Sequence, residues 1–210
     1  MHDLTVDQKA PNPHRILCVS ASPRAGGNTD NLIDRTAEGA REQGAEVEIV
    51  HLRNYAIEPC VGCEQCRRDK TCSRFYDGMH LIYPLIEASA GLVVGSPTYN
   101  YNVTSLMKSF IDRLYPYFDF ENPRPGPYRS RLNDRQRRMV VIGICEQQEE
   151  SEMGFTIPAM RDPLKVLGYE LSSEVAAIGH FPLASVKRDA ELLQRAYEAG
   201  SRLADELSAE

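Results

Sequence analysis

Five short apolar runs, at 16–19, 46–51, 91–95, 139–144 and 171–178, alternate along the chain with stretches of helical spacing. This alternation constrains the fold most. Helical patterns begin near Thr29, carry Met79, Ile82 and Ile86, then Leu106, Phe110, Ile111 and Leu114, then span 158–167, and end with Leu192, Leu193, Ala196, Leu203 and Leu207. Strands alternating with helices imply an α/β fold with a parallel sheet, right-handed crossovers and helices on both faces. The run 139–144 is apolar throughout, as a strand buried on both sides must be. The expected product is a doubly wound five-stranded sheet in the order 2-1-3-4-5. Residues 1–14 read as a flexible N-terminal arm and 15–210 as a single domain. Two segments stand outside the alternation: a polar, Cys-rich loop at 58–77, and a Pro-, Arg- and Asn-rich surface excursion at 116–135.

Bulk properties exclude several classes. With 42% hydrophobic and 26% charged residues the chain has an ordinary globular composition. A net charge of −6 without a Lys/Arg block argues against nucleic acid as a partner. No apolar window is long enough to span a membrane, and residues 1–12 lack a secretory core, so a cytoplasmic location is expected. In that reducing compartment the six cysteines read as thiols, metal ligands or redox groups.

Two loops carry the chemistry. The first joins the 16–19 strand to the first helix, where free N–H groups and the helix dipole favour an anion. Gly26 and Gly27 let the backbone curl, Ser22, Asn28 and Thr29 offer donors, and Arg24 brings charge, which suits a phosphate monoester. Neither a Gly-Lys-Ser/Thr sequence nor a three-glycine dinucleotide spacing is present. Taken alone, the loop reads equally well as a helix cap and a turn. The second loop, Ser96-Pro97-Thr98-Tyr99-Asn100-Tyr101-Asn102, combines a rigid proline with aromatics and amides, a surface suited to a flat heteroaromatic ring such as flavin. In a doubly wound sheet these loops flank the switch point where ligands sit.

The strand followed by SxSPRxGxNT, the SPTYxxxxxxxMKxFIDR run, and the cysteines Cys60, Cys63, Cys66 and Cys72 between them resemble the NADPH-dependent FMN reductase and iron-sulfur flavoprotein branch of the flavodoxin-like superfamily. The resemblance covers residues 15–115. It implies FMN as cofactor and NAD(P)H as co-substrate. The implied cofactor-binding set is Ser20, Ser22, Arg24, Gly27, Asn28 and Thr29 in the first loop and Pro97, Thr98, Tyr99, Asn100 and Asn102 in the second. Cys145 and Glu146, after the fourth strand, form a third wall. The resemblance also implies a homodimer or homotetramer. Lys108, Asp112 and Arg113 read as surface pairing of the i, i+4 kind, and Tyr115, Tyr117, Phe118 and Phe120 as packing residues. The five histidines show no ligand spacing and receive no role, and no catalytic residue is assigned.

Cys60-x2-Cys63-x2-Cys66-x5-Cys72 suits the corners of a [4Fe–4S] cluster, with metal-free thiols or a disulfide, and zinc, as the alternatives. Nearby Arg67, Arg68 and Lys70 would offset a thiolate cluster's charge or form a solvated face. Two functions are therefore expected to compete. One is an FMN-dependent oxidoreductase passing electrons from NAD(P)H or a reduced, ferredoxin-like carrier to a small acceptor such as a quinone or flavin. The other is a non-enzymatic electron carrier or redox sensor. The 116–135 excursion, which could build a substrate cleft, favours the enzyme.

Overall fold

Neighbouring side chains of each central strand leave the sheet on opposite faces, and in this chain both sets are apolar. Leu17, Val19, Leu92, Val94, Met139 and Val141 enter one core, whereas Ile16, Cys18, Val93, Val140 and Ile142 enter the other. Such a sheet needs helices on both sides. The computed structural model describes residues 12–133 and 136–209 and meets that need. In chain order the elements are β1 (Asn12–Ser20), α1 (Asn28–Glu42), β2 (Glu46–His51), α2 (Cys66–Asp69), α3 (Met79–Ala88), β3 (Ser89–Pro97) and α4 (Ser105–Asp112). There follow β4 (Phe118–Phe120), β5 (Tyr128–Ser130), β6 (Arg137–Ile144), α5 (Thr156–Val166), β7 (Tyr169–Ala177) and α6 (Ala190–Ser208). Helices α1 and α6 cover one face, and α3, α4 and α5 the other. Five parallel strands run in the order β2-β1-β3-β6-β7, the flavodoxin-like arrangement. Among the described residues no helix is long and apolar enough to cross a membrane.

Two segments gain detail that the sequence did not show. Within the 116–135 excursion, β4 and β5 form an antiparallel hairpin pairing Phe118 with Ser130 and Phe120 with Tyr128. Three-residue strands are too short to show a period; what holds them is an aromatic cluster of Tyr115, Phe118, Phe120 and Tyr128. The arm also ends earlier than expected, since β1 begins at Asn12, which pairs with Ser89 of β3. A register shift between Asn12 and Ile16 breaks the alternation there, and Pro13 further hides the strand. The rest of the arm, residues 1–11, lies outside the described residues.

On the second face α1 and α6 touch backbone to backbone. A Cβ at Gly200 would stand 1.8 Å from the Thr36 carbonyl oxygen, and one at Gly39 2.1 Å from that of Tyr197. The helices can meet only because both positions lack a side chain. Gly200→Ala must push them apart, and urea unfolding is expected to show a loss of about 1–3 kcal/mol.

Candidate active site

All five strands of the sheet are parallel, so the loops after β1, β3, β6 and β7 emerge at one edge. They enclose a cleft of about 520 Å³. Its first wall is the turn into α1. The N-cap is Gly27, which has no side chain to satisfy the first-turn N–H groups, so these are left without a capping side chain. Ser22, Arg24, Asn28 and Thr29 line this end. The turn is braced from beneath by Asp30, a residue not singled out in the sequence. Its buried carboxylate accepts from Ser20 Oγ at 2.6 Å, Gly26 N–H at 2.8 Å and Arg53 Nη1 at 3.0 Å. His51 Nδ1 stands 3.2 Å away. Burial pushes this carboxyl up, but the hydrogen bonds from Arg53 and Ser20 and the charges of Arg53 and His51 outweigh it and hold it below the ordinary carboxylate range.

The second wall follows β3. Tyr99 and Asn102 exchange backbone hydrogen bonds of 2.7 and 3.1 Å around Asn100 and Tyr101, whose φ values of 47° and 62° form a tight left-handed turn. A left-handed tyrosine is costly, and the neighbouring segment holds it there. The Phe155 N–H donates to Tyr101 O at 2.8 Å, and any Cβ on Gly154 would lie 2.5 Å from that oxygen. Thr104 ties the two walls together: it caps α4 by accepting from Met107 N–H and donates its hydroxyl to Ala21 O at 3.0 Å. Pro97, Thr98, Tyr99 and Asn100 face the cleft, with Glu146 and Ile144 on the β6 side.

Several expected contacts take other roles. Ser20 is fully buried and donates to Asp30, Gly27 occupies the N-cap position of α1 without capping it, and Asn102 closes the turn with its backbone while its Oδ1 accepts from Val103 N–H. The Cys145 side chain packs into the core; its N–H donates to Ala177 O at 2.7 Å. None of these four lines the cleft. Asn28 lines it, but its side chain already donates to His180 O and Pro182 O at 3.2 and 3.1 Å and accepts from Val186 N–H at 3.3 Å. Its side chain is therefore committed to the protein, and its backbone N–H is the group left toward the cleft. This Asn28 clamp holds the loop after β7, which supplies two wall residues that the sequence did not reveal, His180 and Phe181. The Arg24 guanidinium donates to Phe181 O at 3.3 Å and stacks 5.5 Å from the Phe181 ring centroid. His180 sits between Ser185 Oγ and Asp189 Oδ2, each at 3.3 Å.

The cysteine loop forms a separate cavity of about 350 Å³, with Cys60, Cys63, Cys66 and Cys72 all on its wall. Left-handed backbone at Gly62, Glu64 and Lys70 curls the chain around it. Burial pushes the Cys66 thiol up to about 11, and the nearby Cys72, Cys60 and Cys63 sulfurs push it the same way. Among the described residues no three His, Cys, Asp or Glu side chains stand as ligands of a metal ion. Arg113 contradicts its reading as a surface residue. Lys108 and Asp112 do pair on the surface, but Arg113 is 2% exposed and grips Asp77 through Nη1 at 2.6 Å and Nη2 at 3.0 Å, with a third bond to Glu58 O at 2.7 Å. It clasps both ends of the cysteine loop. Arg67 and Lys70 turn toward the hairpin, to Asn122 and Asp119, while Arg68 stays exposed beside Asp69.

Residues 14–130 match the model of the NADPH-dependent FMN reductase family. The chain belongs to that family. The match takes in both loops and all four cysteines of the 58–77 segment. An iron-sulfur flavoprotein of Archaeoglobus fulgidus is 38% identical over 84% of this chain and 82% of its own length. A second from the same organism is 28% identical over 91% of this chain and 79% of its own. Among solved structures, a flavone reductase superposes with a TM-score of 0.68 at 20% identity, covering 92% of this chain and 63% of that one, which speaks to the fold. Family membership makes this chain an oxidoreductase of the FMN-dependent flavin class.

Proposed function

We propose that the chain binds FMN in the four-loop cleft and passes electrons from NAD(P)H, or from a reduced carrier, to a small acceptor such as a quinone or flavin. The observation that carries this reading is the pairing of the cleft's two ends: an uncapped helix N-terminus with Arg24 at one, and the rigid Pro97–Asn100 wall at the other. The phosphate would take the α1 amides, the Thr29 hydroxyl and Arg24, with Ser22, whose hydroxyl donates to Arg24 O at 2.9 Å, shaping the turn beside it; the ring would lie against Pro97, Thr98, Tyr99 and Asn100. Bound FMN supplies hydride and single-electron transfer. The chain's own residues would fix its position, and Phe181 and Tyr99, exposed on the wall of the cleft, offer flat surfaces to an aromatic acceptor. Anaerobic addition of NADPH to the FMN-loaded chain is expected to bleach the flavin band. Reduction by dithionite alone would contradict the enzyme and favour a carrier.

We further propose that Cys60, Cys63, Cys66 and Cys72 hold a [4Fe–4S] cluster, which passes electrons singly and so complements hydride chemistry. The support is the donor set: four thiols on the wall of one cavity, with apolar Val61 and Phe75 beside them. Anaerobically prepared protein should carry about four irons per chain and a low-temperature EPR signal on reduction, both absent in Cys63→Ala. A wild type without iron, or a variant with an unchanged signal, would contradict the cluster.

A further inference from the structure

Arg113 spends Nη1 and Nη2 on Asp77 and Glu58 O, but its Nε is buried and has no hydrogen-bond partner among the described residues. A buried charged donor left idle costs free energy, so it is a place to look for an acceptor that a ligand brings. Other arginines leave an Nε idle too, but Arg113 alone does so on the wall of the cysteine cavity. Its counter-ion Asp77 does not line that cavity. The other charged residues of the wall belong to the surface: Glu64 pairs with Arg124 and Asp112 with Lys108, and Arg74 is exposed. Of the four, Arg113 is the one shut away from water, where screening is weakest. The Phe75 ring, on the same wall, packs with its centroid 5.4 Å from the guanidinium carbon. Burial lowers the Arg113 pKa and Asp77 raises it, and the Cys72 sulfur adds to the rise, so charge on that sulfur reaches the guanidinium. Because Asp77 and Glu58 O grip its other nitrogens, the idle donor is held in place before any ligand arrives.

On the [4Fe–4S] reading of the four cysteines, on which this step rests, we propose that Arg113 donates its Nε–H to the sulfur shell of the cluster and thereby raises the cluster's reduction potential. A cluster on four thiolates is an anion that gains one more negative charge with each electron it accepts. A fixed cationic donor at its sulfurs therefore favours the reduced form over the oxidised one. The test is pulsed EPR and potentiometric titration of the anaerobically prepared, cluster-loaded protein. Wild type grown with arginine carrying ¹⁵N at Nε should show a ¹⁵N coupling in the reduced cluster signal, absent in Arg113→Lys. Arg113→Lys keeps a charge against Asp77 but has no Nε, and should make the cluster about tenfold harder to reduce, a fall of about 59 mV for one electron. Asp77→Asn removes the opposing charge and keeps Nε, so it should shift the potential upward. A clasp that merely holds the loop would move both variants the same way, because both loosen the same loop, and shifts of one sign overturn the proposal. So does an iron-loaded wild type without ¹⁵N coupling, an outcome that leaves the cluster itself standing. The wild-type coupling decides the point even where a variant fails to hold iron. A wild type without iron overturns the cluster and the Arg113 contact together.

Discussion

Arg113→Ala is expected to lower the stability of the fold by about 3–5 kcal/mol, because it leaves the Asp77 carboxylate buried without its counter-ion. The same guanidinium bonds Glu58 O, and Asp77 accepts the Glu58 N–H at 2.9 Å and the Met79 N–H at 3.1 Å, so both ends of the cysteine loop lose their anchor together. Burial alone would lower the Arg113 pKa, but the Asp77 hydrogen bonds outweigh it and the net direction is up. Asp77 moves the opposite way: burial raises its carboxyl, and the Arg113 and backbone hydrogen bonds bring it below the ordinary range. A depressed carboxyl gives stability that is present above its unfolded pKa and lost as pH falls through its folded one. Urea unfolding should therefore show a steeper acid limb for wild type than for Arg113→Ala. Arg113→Lys should recover only part of the loss, since an ammonium cannot grip both Asp77 oxygens and Glu58 O in the same planar fork. A loss below about 1 kcal/mol would mean that the pair behaves as an exposed one.

Asp30→Ala is expected to strike both stability and flavin binding. Arg53, Ser20 and the Gly26 N–H all converge on this carboxylate, and its removal strands a partly buried guanidinium at a cost of about 3–5 kcal/mol. The Gly26 turn then loses its tether. An anion site built from backbone amides binds through pre-organisation, so a loop-ordering cost of as little as about 1.4 kcal/mol weakens FMN tenfold. Fluorescence titration with FMN reads this directly. Because the Asp30 carboxyl is held low, its contribution is present above the ordinary carboxylate pKa of about 3.9 and fades as pH falls below it. Unchanged FMN affinity in a folded variant would show that the brace does not shape the phosphate loop.

The sheet was legible because its strands are buried on both faces, so runs such as 139–144 are apolar without interruption. That both loops border the cleft was legible because tight turns at a strand end demand Gly, Pro and Asn. What escaped depended on partners distant in sequence. Arg113 looks like the next charge after Lys108 and Asp112, and only Asp77, 36 residues earlier, makes its burial tolerable. Ser20 matches a ligand residue by position, yet its hydroxyl turns inward to Asp30. His180 and Phe181 carry no spacing signal, because they reach the cleft through the Asn28 clamp on the loop after β7. The β4–β5 hairpin is specified by cross-strand aromatics rather than by any period.

The most direct measurement is reverse-phase chromatography of the flavin released from purified chain after incubation with excess FMN and FAD and removal of the unbound fraction. The proposed phosphate site at the α1 N-terminus is single and compact, so FMN should be retained at about one equivalent per chain and FAD excluded. Retention of FAD, or of no flavin at all, would contradict the assignment of this cleft.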